Sequence, residues 1–185
     1  YGKSIRTVKT CVGSEFCRFG TQNSTQLGID LEHDLFNMWS PHKVKLAVSG
    51  CPRNCAEAGI KDIGIIGVDS GWELYIGGNG GIKTEVAEFF VKLKTAEEVR
   101  EYSGAFLQLY REEAFYLERT VHYLQRVGME RIKKAVLEDE ENRKALNARL
   151  QFSLSLEQDP WQERIVQQPL KKEFERIPLT QLEPA

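Results

Sequence analysis

Four cysteines set in two local pairs constrain this chain more than any other feature. Cys11 and Cys17 are separated by five residues, Cys51 and Cys55 by three. Two thiol pairs can converge on one soft metal centre, and thiolate is the ligand of iron–sulfur clusters and of zinc alike. Structural zinc sites typically leave about two to four residues between paired cysteines, so a gap of five is long for a zinc knuckle. A cubane cluster is larger than one ion, and its ligands can stand further apart. The two-residue gaps of small bacterial ferredoxins are missing. Disulfides are the third reading, but no secretion pattern accompanies the cysteines, and thiols inside cells are kept reduced.

The surrounding composition excludes several classes of function. Of the 185 residues, 41% are apolar, enough for a packed core. The 27 acidic and 25 basic side chains nearly cancel, so no net basic field points to nucleic acid or to an anionic membrane surface. No apolar run approaches the roughly 18 residues that a membrane span needs. The chain opens on Tyr1 and reaches Cys11 only ten residues later. A cofactor site with so little chain before it has one wall, so the sequence reads as a piece of a longer polypeptide.

Along the chain, residues 1–83 hold all the cysteines and are rich in glycine and β-branched residues. Val44, Leu46 and Val48 alternate with Lys43, Lys45 and Ala47, which predicts a strand leading into Gly50. Ile63 to Val68 predicts a buried strand, and Trp72 to Ile76 another, closed by the Gly77–Gly81 turn. Gly77 to Thr84 lacks the glycine before lysine that a phosphate loop requires and reads as a tight strand-to-helix turn. Thr84, with Glu85 and Glu88, predicts a helix start, and Thr95 with Glu98 a capping box. A long helix is expected over residues 96–127, with Phe106, Tyr110, Leu117, Val121 and Leu124 on its buried face. Gly128 should end it, and a second helical stretch should run from Met129 to Leu150. The proline-bearing tail from Gln151 predicts an extended arm. The organisation expected is a cofactor module over 1–83, a helical region packed on it over 84–150, and an extended tail over 151–185.

The cysteine motifs also carry a resemblance. Thr10-Cys11-Val12-Gly13-Ser14-Glu15-Phe16-Cys17, followed by Gly50-Cys51-Pro52-Arg53-Asn54-Cys55-Ala56, resembles the sirohaem and 4Fe-4S signature of nitrite and sulfite reductases. Gly20-Thr21-Gln22-Asn23-Ser24, Tyr75-Ile76-Gly77-Gly78-Asn79-Gly80-Gly81 and Glu118-Arg119-Thr120-Val121 bring it closer to the C-terminal part of the large subunit of bacterial NAD(P)H-dependent assimilatory nitrite reductases. The resemblance extends to about Leu150.

The resemblance implies an α+β fold, with a small mixed or antiparallel sheet, helices carrying the cofactor loops and a helical C-terminal appendage. It implies that Cys11, Cys17, Cys51 and Cys55 ligate a 4Fe-4S cluster, and that Cys55 also bridges to sirohaem as its axial ligand. One shared thiolate would couple two redox centres for the six-electron reduction of nitrite to ammonia. Arg53 is either a partner for a sirohaem carboxylate or an ordinary surface cation, and Arg18 stands between the same two readings. Catalytic substrate-binding residues are expected upstream of Tyr1. So are the domains for FAD and NAD(P)H, because the G-x-G-x-x-G fingerprint is absent here. The implied partners are nitrite, upstream domains of the same polypeptide and a small nitrite reductase subunit, in the cytoplasm. The alternatives are an assimilatory sulfite reductase domain and a non-catalytic four-thiolate module holding zinc or an iron–sulfur cluster.

Overall fold

The computed structural model describes residues 2–156 and 160–166. Residues Tyr1–Leu154 make one compact unit and Ser155–Ala185 a second.

The first unit is built on a five-stranded mixed sheet. Its strands are β1 (Lys9–Thr10), β2 (Leu46–Ser49), β3 (Ile63–Val68), β4 (Gly71–Ile76) and β7 (Glu88–Leu93), adjacent in that order. β1, β2 and β3 run parallel, while β4 and β7 are antiparallel to their neighbours. The mixed sheet with its helices is the α+β architecture expected. A separate hairpin pairs β5 (Asn79–Gly80) with β6 (Thr84–Glu85).

Strand alternation gives the sheet two unlike faces. On one, Leu46, Val48, Ile63, Ile65, Leu74 and Ile76 are buried against helices. These are α2 (Ser24–Leu35), over β1 and β2, and α3 (Ala96–Glu113), over β4 and β7. Phe90 of β7 meets Phe106 of α3 with ring centroids 6.3 Å apart. The other face bears small side chains. Ala47 and Gly64 are partners there, and Ala47 clusters with Ala56, Ala58 and Ile66. The chain after Gly50 folds back onto this face through a 3₁₀ turn at Ala58–Ile60. A Cβ on Gly64 would lie 2.1 Å from the Ala58 carbonyl oxygen, so the return demands glycine at that point.

Four local expectations require correction. No helix starts at Thr84: it opens β6, and Glu88–Leu93 joins the sheet. The Thr-Glu-x-x-Glu pattern imitates a cap, but Phe89, Phe90 and Val91 suit a strand, and the register with β4 completes their hydrogen bonding. The long helix is not continuous. It ends at Glu113 and resumes as α4 (Thr120–Val127), because Leu117 adopts φ 66° and donates its N–H to the Pro41 carbonyl. Leu117 is therefore 50% exposed, whereas Phe106, Tyr110, Val121 and Leu124 are buried as expected. After Gly128, α5 (Met129–Lys133) passes into a π-helical turn, Lys134–Glu138, and α6 (Glu140–Ser155) follows. The polar run there hides one anchor, since Arg143 is buried against Glu101 and the Val136 carbonyl. Finally, α6 carries the chain beyond Gln151 as helix, and Pro160–Val166 forms α7 in the second unit. The rest of the expected arm lies outside the described residues.

The capping box at Thr95 is present as read, with Glu98 N–H donating to Thr95 Oγ1 and the Glu98 carboxylate accepting from Thr95 N–H. Among the described residues, no helix is long and apolar enough to cross a membrane.

Candidate cluster site

Both cysteine pairs follow the C-terminal ends of adjacent parallel strands. Cys11 leaves β1 with its N–H donating to the Val48 carbonyl, and Gly50-Cys51 leaves β2. A one-turn helix, α1 (Gly13–Phe16), carries the chain from Cys11 to Cys17. Gly13, its first residue, is at φ 60°, where a side chain would be strained.

The two loops pack backbone to backbone. A Cβ on Gly50 would meet Gly13 Cα and the Gln22 carbonyl oxygen at 2.8 Å, and one on Gly20 would meet Gly13 C at 2.5 Å. Only glycines allow this approach. Hydrogen bonds then fasten it, with the N–H groups of Thr21 and Gln22 and the Thr21 hydroxyl all donating to the Gly50 carbonyl. Gly50 N–H points at Cys11 Sγ from 3.1 Å. At the loop tips, the Arg53 guanidinium lies 4.0 Å from the Phe19 ring centroid and that of Arg18 lies 4.6 Å from it.

The four cysteines are free thiols in graded exposure. Cys51 is buried, Cys11 and Cys17 are half-buried, and Cys55 is exposed. Burial works against a Cys11 thiolate, but the Ser24 hydroxyl and the N–H groups of Gly50 and Gly13 outweigh it. The net effect holds this thiol below its ordinary value of 9.0. Such an arrangement suits a sulfur that carries negative charge toward a metal.

The Cys51–Cys55 loop has its own frame. Asn54 takes a left-handed φ of 55°, and its Oδ1 accepts from Gly59 N–H at 3.3 Å and lies 3.2 Å from Ser49 Oγ. Ser49 Oγ in turn accepts from Ala56 N–H. Glu57, also left-handed at φ 60°, bridges Lys9 at 2.9 Å and Lys61 at 3.1 Å. The two ammonium groups hold its carboxyl down to about 2.

Among the described residues, no three of His, Cys, Asp and Glu are gathered into a set that could hold a single metal ion. The cysteine loops instead carry four thiols free of disulfides beside glycine-lined backbone, with N–H groups turned toward the Cys11 sulfur. That donor set fits a polynuclear thiolate cluster, whose ligands spread further than those of one ion.

Sequence reasoning singled out the four cysteines but missed the polar frame. Ser24, Ser49, Asn54 and Glu57 carry no local motif of their own. The one readable signal was the Thr21–Ser24 run. There Thr21 grips Gly50, Gln22 donates to the Val68 carbonyl, Asn23 caps α2 and Ser24 sits 3.2 Å from Cys11 Sγ. His33, His42 and His122 form no metal-ligand set.

Known proteins resemble this chain over most of its length. Residues 1–144 match the model of the nitrite and sulphite reductase 4Fe-4S domain. The chain is 55% identical over 181 residues to the NAD(P)H nitrite reductase of Bacillus subtilis (strain 168), covering 97% of this chain and 22% of that protein. It is 46% identical over 142 residues to the NAD(P)H nitrite reductase large subunit of Klebsiella oxytoca, covering 75% of this chain and 15% of that one. The chain thus spans about a fifth or less of these relatives' length. Among solved structures, dissimilatory sulfite reductase I superposes with a TM-score of 0.64 at 14% identity, over 72% of this chain and 52% of that one. At that identity the likeness bears on the fold alone.

Proposed function

Given that the chain belongs to the nitrite and sulphite reductase 4Fe-4S domain family, whose cofactors are a 4Fe-4S cluster and sirohaem, we propose that it is the cluster-bearing part of a longer cytoplasmic enzyme that reduces nitrite to ammonia. The observation that carries this reading is the clasp of the two cysteine loops through Gly13, Gly20 and Gly50, which packs together two loops that leave the C-terminal ends of adjacent parallel strands.

In this reading Cys11, Cys17, Cys51 and Cys55 hold the cluster. Cys55, the exposed thiol, would also hold the sirohaem iron through its sulfur, while Cys51 is buried. Arg53, stacked on the Phe19 ring, would meet a sirohaem carboxylate. When bound, the two cofactors supply stored electrons and an iron that takes up the anion. The chain's own part is to orient the thiolates, donate N–H groups to sulfur and hold the Cys55 loop rigid. FAD, NAD(P)H and a small subunit would belong to other parts of the assembly. Nitrite is favoured over sulfite because the chain is 55% identical to a nitrite reductase.

Visible absorption together with iron and zinc analysis of the parent enzyme, purified anaerobically, tests this. Sirohaem bands with iron well above one per chain are expected, and a colourless protein with stoichiometric zinc would sink the reading. Cys55→Ser should perturb both the cluster and the sirohaem spectra. Loss of the cluster with an unaltered haem spectrum would remove the shared thiolate.

A further inference from the structure

The hydroxyl of Ser24 is enclosed beside Cys11. Ser24 is the first residue of α2 and is fully buried, at 0% exposure. Asn23 caps that helix by accepting the Gln26 N–H at 3.0 Å, and α2 packs on β1 and β2, so the serine is held in place. Its Oγ lies between the two cysteine loops. A Cβ on Gly13 would stand 2.7 Å from it and one on Gly50 3.0 Å from it. Glycine at both positions leaves the hydroxyl within reach of Cys11 and shut off from water.

That hydroxyl has one proton and two acceptors in reach. The Cys11 carbonyl oxygen lies 2.9 Å from Ser24 Oγ, and Cys11 Sγ lies 3.2 Å from it. The carbonyl has a second hydroxyl donor, Thr25 Oγ1 at 3.4 Å, so it keeps a partner if the Ser24 proton turns to sulfur. Cys11 Sγ already accepts the Gly50 N–H at 3.1 Å. That N–H is fixed by the backbone, whereas the Ser24 hydroxyl turns without moving a heavy atom. The more negative acceptor draws the proton, because a hydrogen bond to a charged group is roughly twice as strong as one between neutral groups. A buried, low-dielectric setting strengthens the preference.

A 4Fe-4S cluster that takes up one electron becomes more negative, and its ligand sulfurs share that charge. Hydrogen bonds to those sulfurs help to set the cluster's potential. A donor whose bond strengthens on reduction favours the reduced form. We infer that Ser24 is a positioning residue that raises the reduction potential of the cluster, its hydroxyl turning from the Cys11 carbonyl to Cys11 Sγ on reduction while Thr25 covers the carbonyl. The inference rests on the cluster reading above, with Cys11 as a ligand. The electron comes from the reductant, no bond is made or broken, and the proton stays on the Ser24 oxygen.

The parent enzyme is titrated anaerobically with a low-potential chemical reductant and followed by electron paramagnetic resonance, beside Ser24→Ala, Thr25→Val and the double variant. Iron and acid-labile sulfide are measured in each. In Ser24→Ala the ratio of reduced to oxidised cluster at a fixed potential should fall about tenfold, which for a one-electron couple is a midpoint about 59 mV more negative, with iron and sulfide unchanged. Thr25→Val should shift the midpoint the same way by less, because it ties the Ser24 proton to the carbonyl. The double variant should match Ser24→Ala, since Thr25 acts only through that proton. A Ser24→Ala midpoint equal to the parent's, or more positive, would overturn the inference, as would shifts that add in the double variant. If Ser24→Ala does not keep its cluster, Thr25→Val decides, and a midpoint equal to the parent's overturns the inference. A parent enzyme without acid-labile sulfide would overturn the cluster reading itself.

Discussion

At the scale of single residues, glycine sets the geometry of the cysteine loops. Gly50 lies where any side chain would strike Gly13 Cα, the Gln22 carbonyl and Ser24 Oγ, the last at 3.0 Å. Two of those obstacles are backbone and cannot rotate away. Gly50→Ala should therefore lower stability by about 1–3 kcal/mol, the usual cost of forcing volume into a close-packed site, and reduce iron content. Thermal unfolding and iron analysis of the variant check this. An unchanged midpoint with full iron would mean that the loops can separate freely at this point. The packing of Gly50 on Gly13 joins two loops far apart in the chain, so it appears only in the fold. Ser24 could not be assigned, because its neighbour Cys11 is reached only through the fold.

At the scale of elements, two segments show local preference overruled by tertiary pairing. β7 carries Phe90 into the core, 2% exposed and against Phe106. Phe90→Ala should cost about 3–5 kcal/mol, as for other large aromatic truncations in a core, measured by denaturant unfolding. A loss below about 1 kcal/mol would place Phe90 at a surface instead. The break between α3 and α4 is held by Glu118. Its carboxylate accepts from Phe115 N–H at 2.9 Å and from Arg126 at 2.8 Å. The Arg126 hydrogen bond, against a smaller opposing effect of burial, holds the Glu118 carboxyl below its ordinary value of 4.5. A depressed carboxyl contributes stability above its unfolded value and loses that contribution as pH falls through the folded value. Amide exchange at Phe115 should thus accelerate, relative to the intrinsic rate, as pH drops below about 4.5. In Glu118→Gln the protection should already be low at neutral pH and indifferent to acid. The Thr95 cap, by contrast, was visible in the sequence, since its partners lie within one turn.

At the scale of the whole molecule, Asp62 ties the layers together. It sits at the start of β3, accepts the Lys45 N–H from the strand side at 2.9 Å and takes Arg119 Nη2 through both oxygens at 3.0 Å. Thr120, the first residue of α4, also donates to it. Asp62→Ala would leave Arg119 without its carboxylate, with a guanidinium side chain only 13% exposed. Removing one partner of a buried pair costs about 3–5 kcal/mol, so the apparent melting temperature should fall sharply. Arg119→Met tests the pair from the other side. If its loss does not approach that of Asp62→Ala, the ion pair is not the joint.

The sequence alone determined the family and the candidate ligands of this protein. The four thiols and their spacing are written in short stretches of chain, and so is the alternation that made the strands from Lys43 to Ile76 readable. Tertiary structure decided how Glu57 and Asn54 frame the Cys55 loop, and where the helical region breaks. Those features depend on partners distant in sequence: Pro41 for Leu117, β4 for β7, and Lys9 for Glu57. Hydrogen bonds and charge pairs of this kind form only once packing has brought their donors and acceptors together. No local window of the chain contains both halves of them.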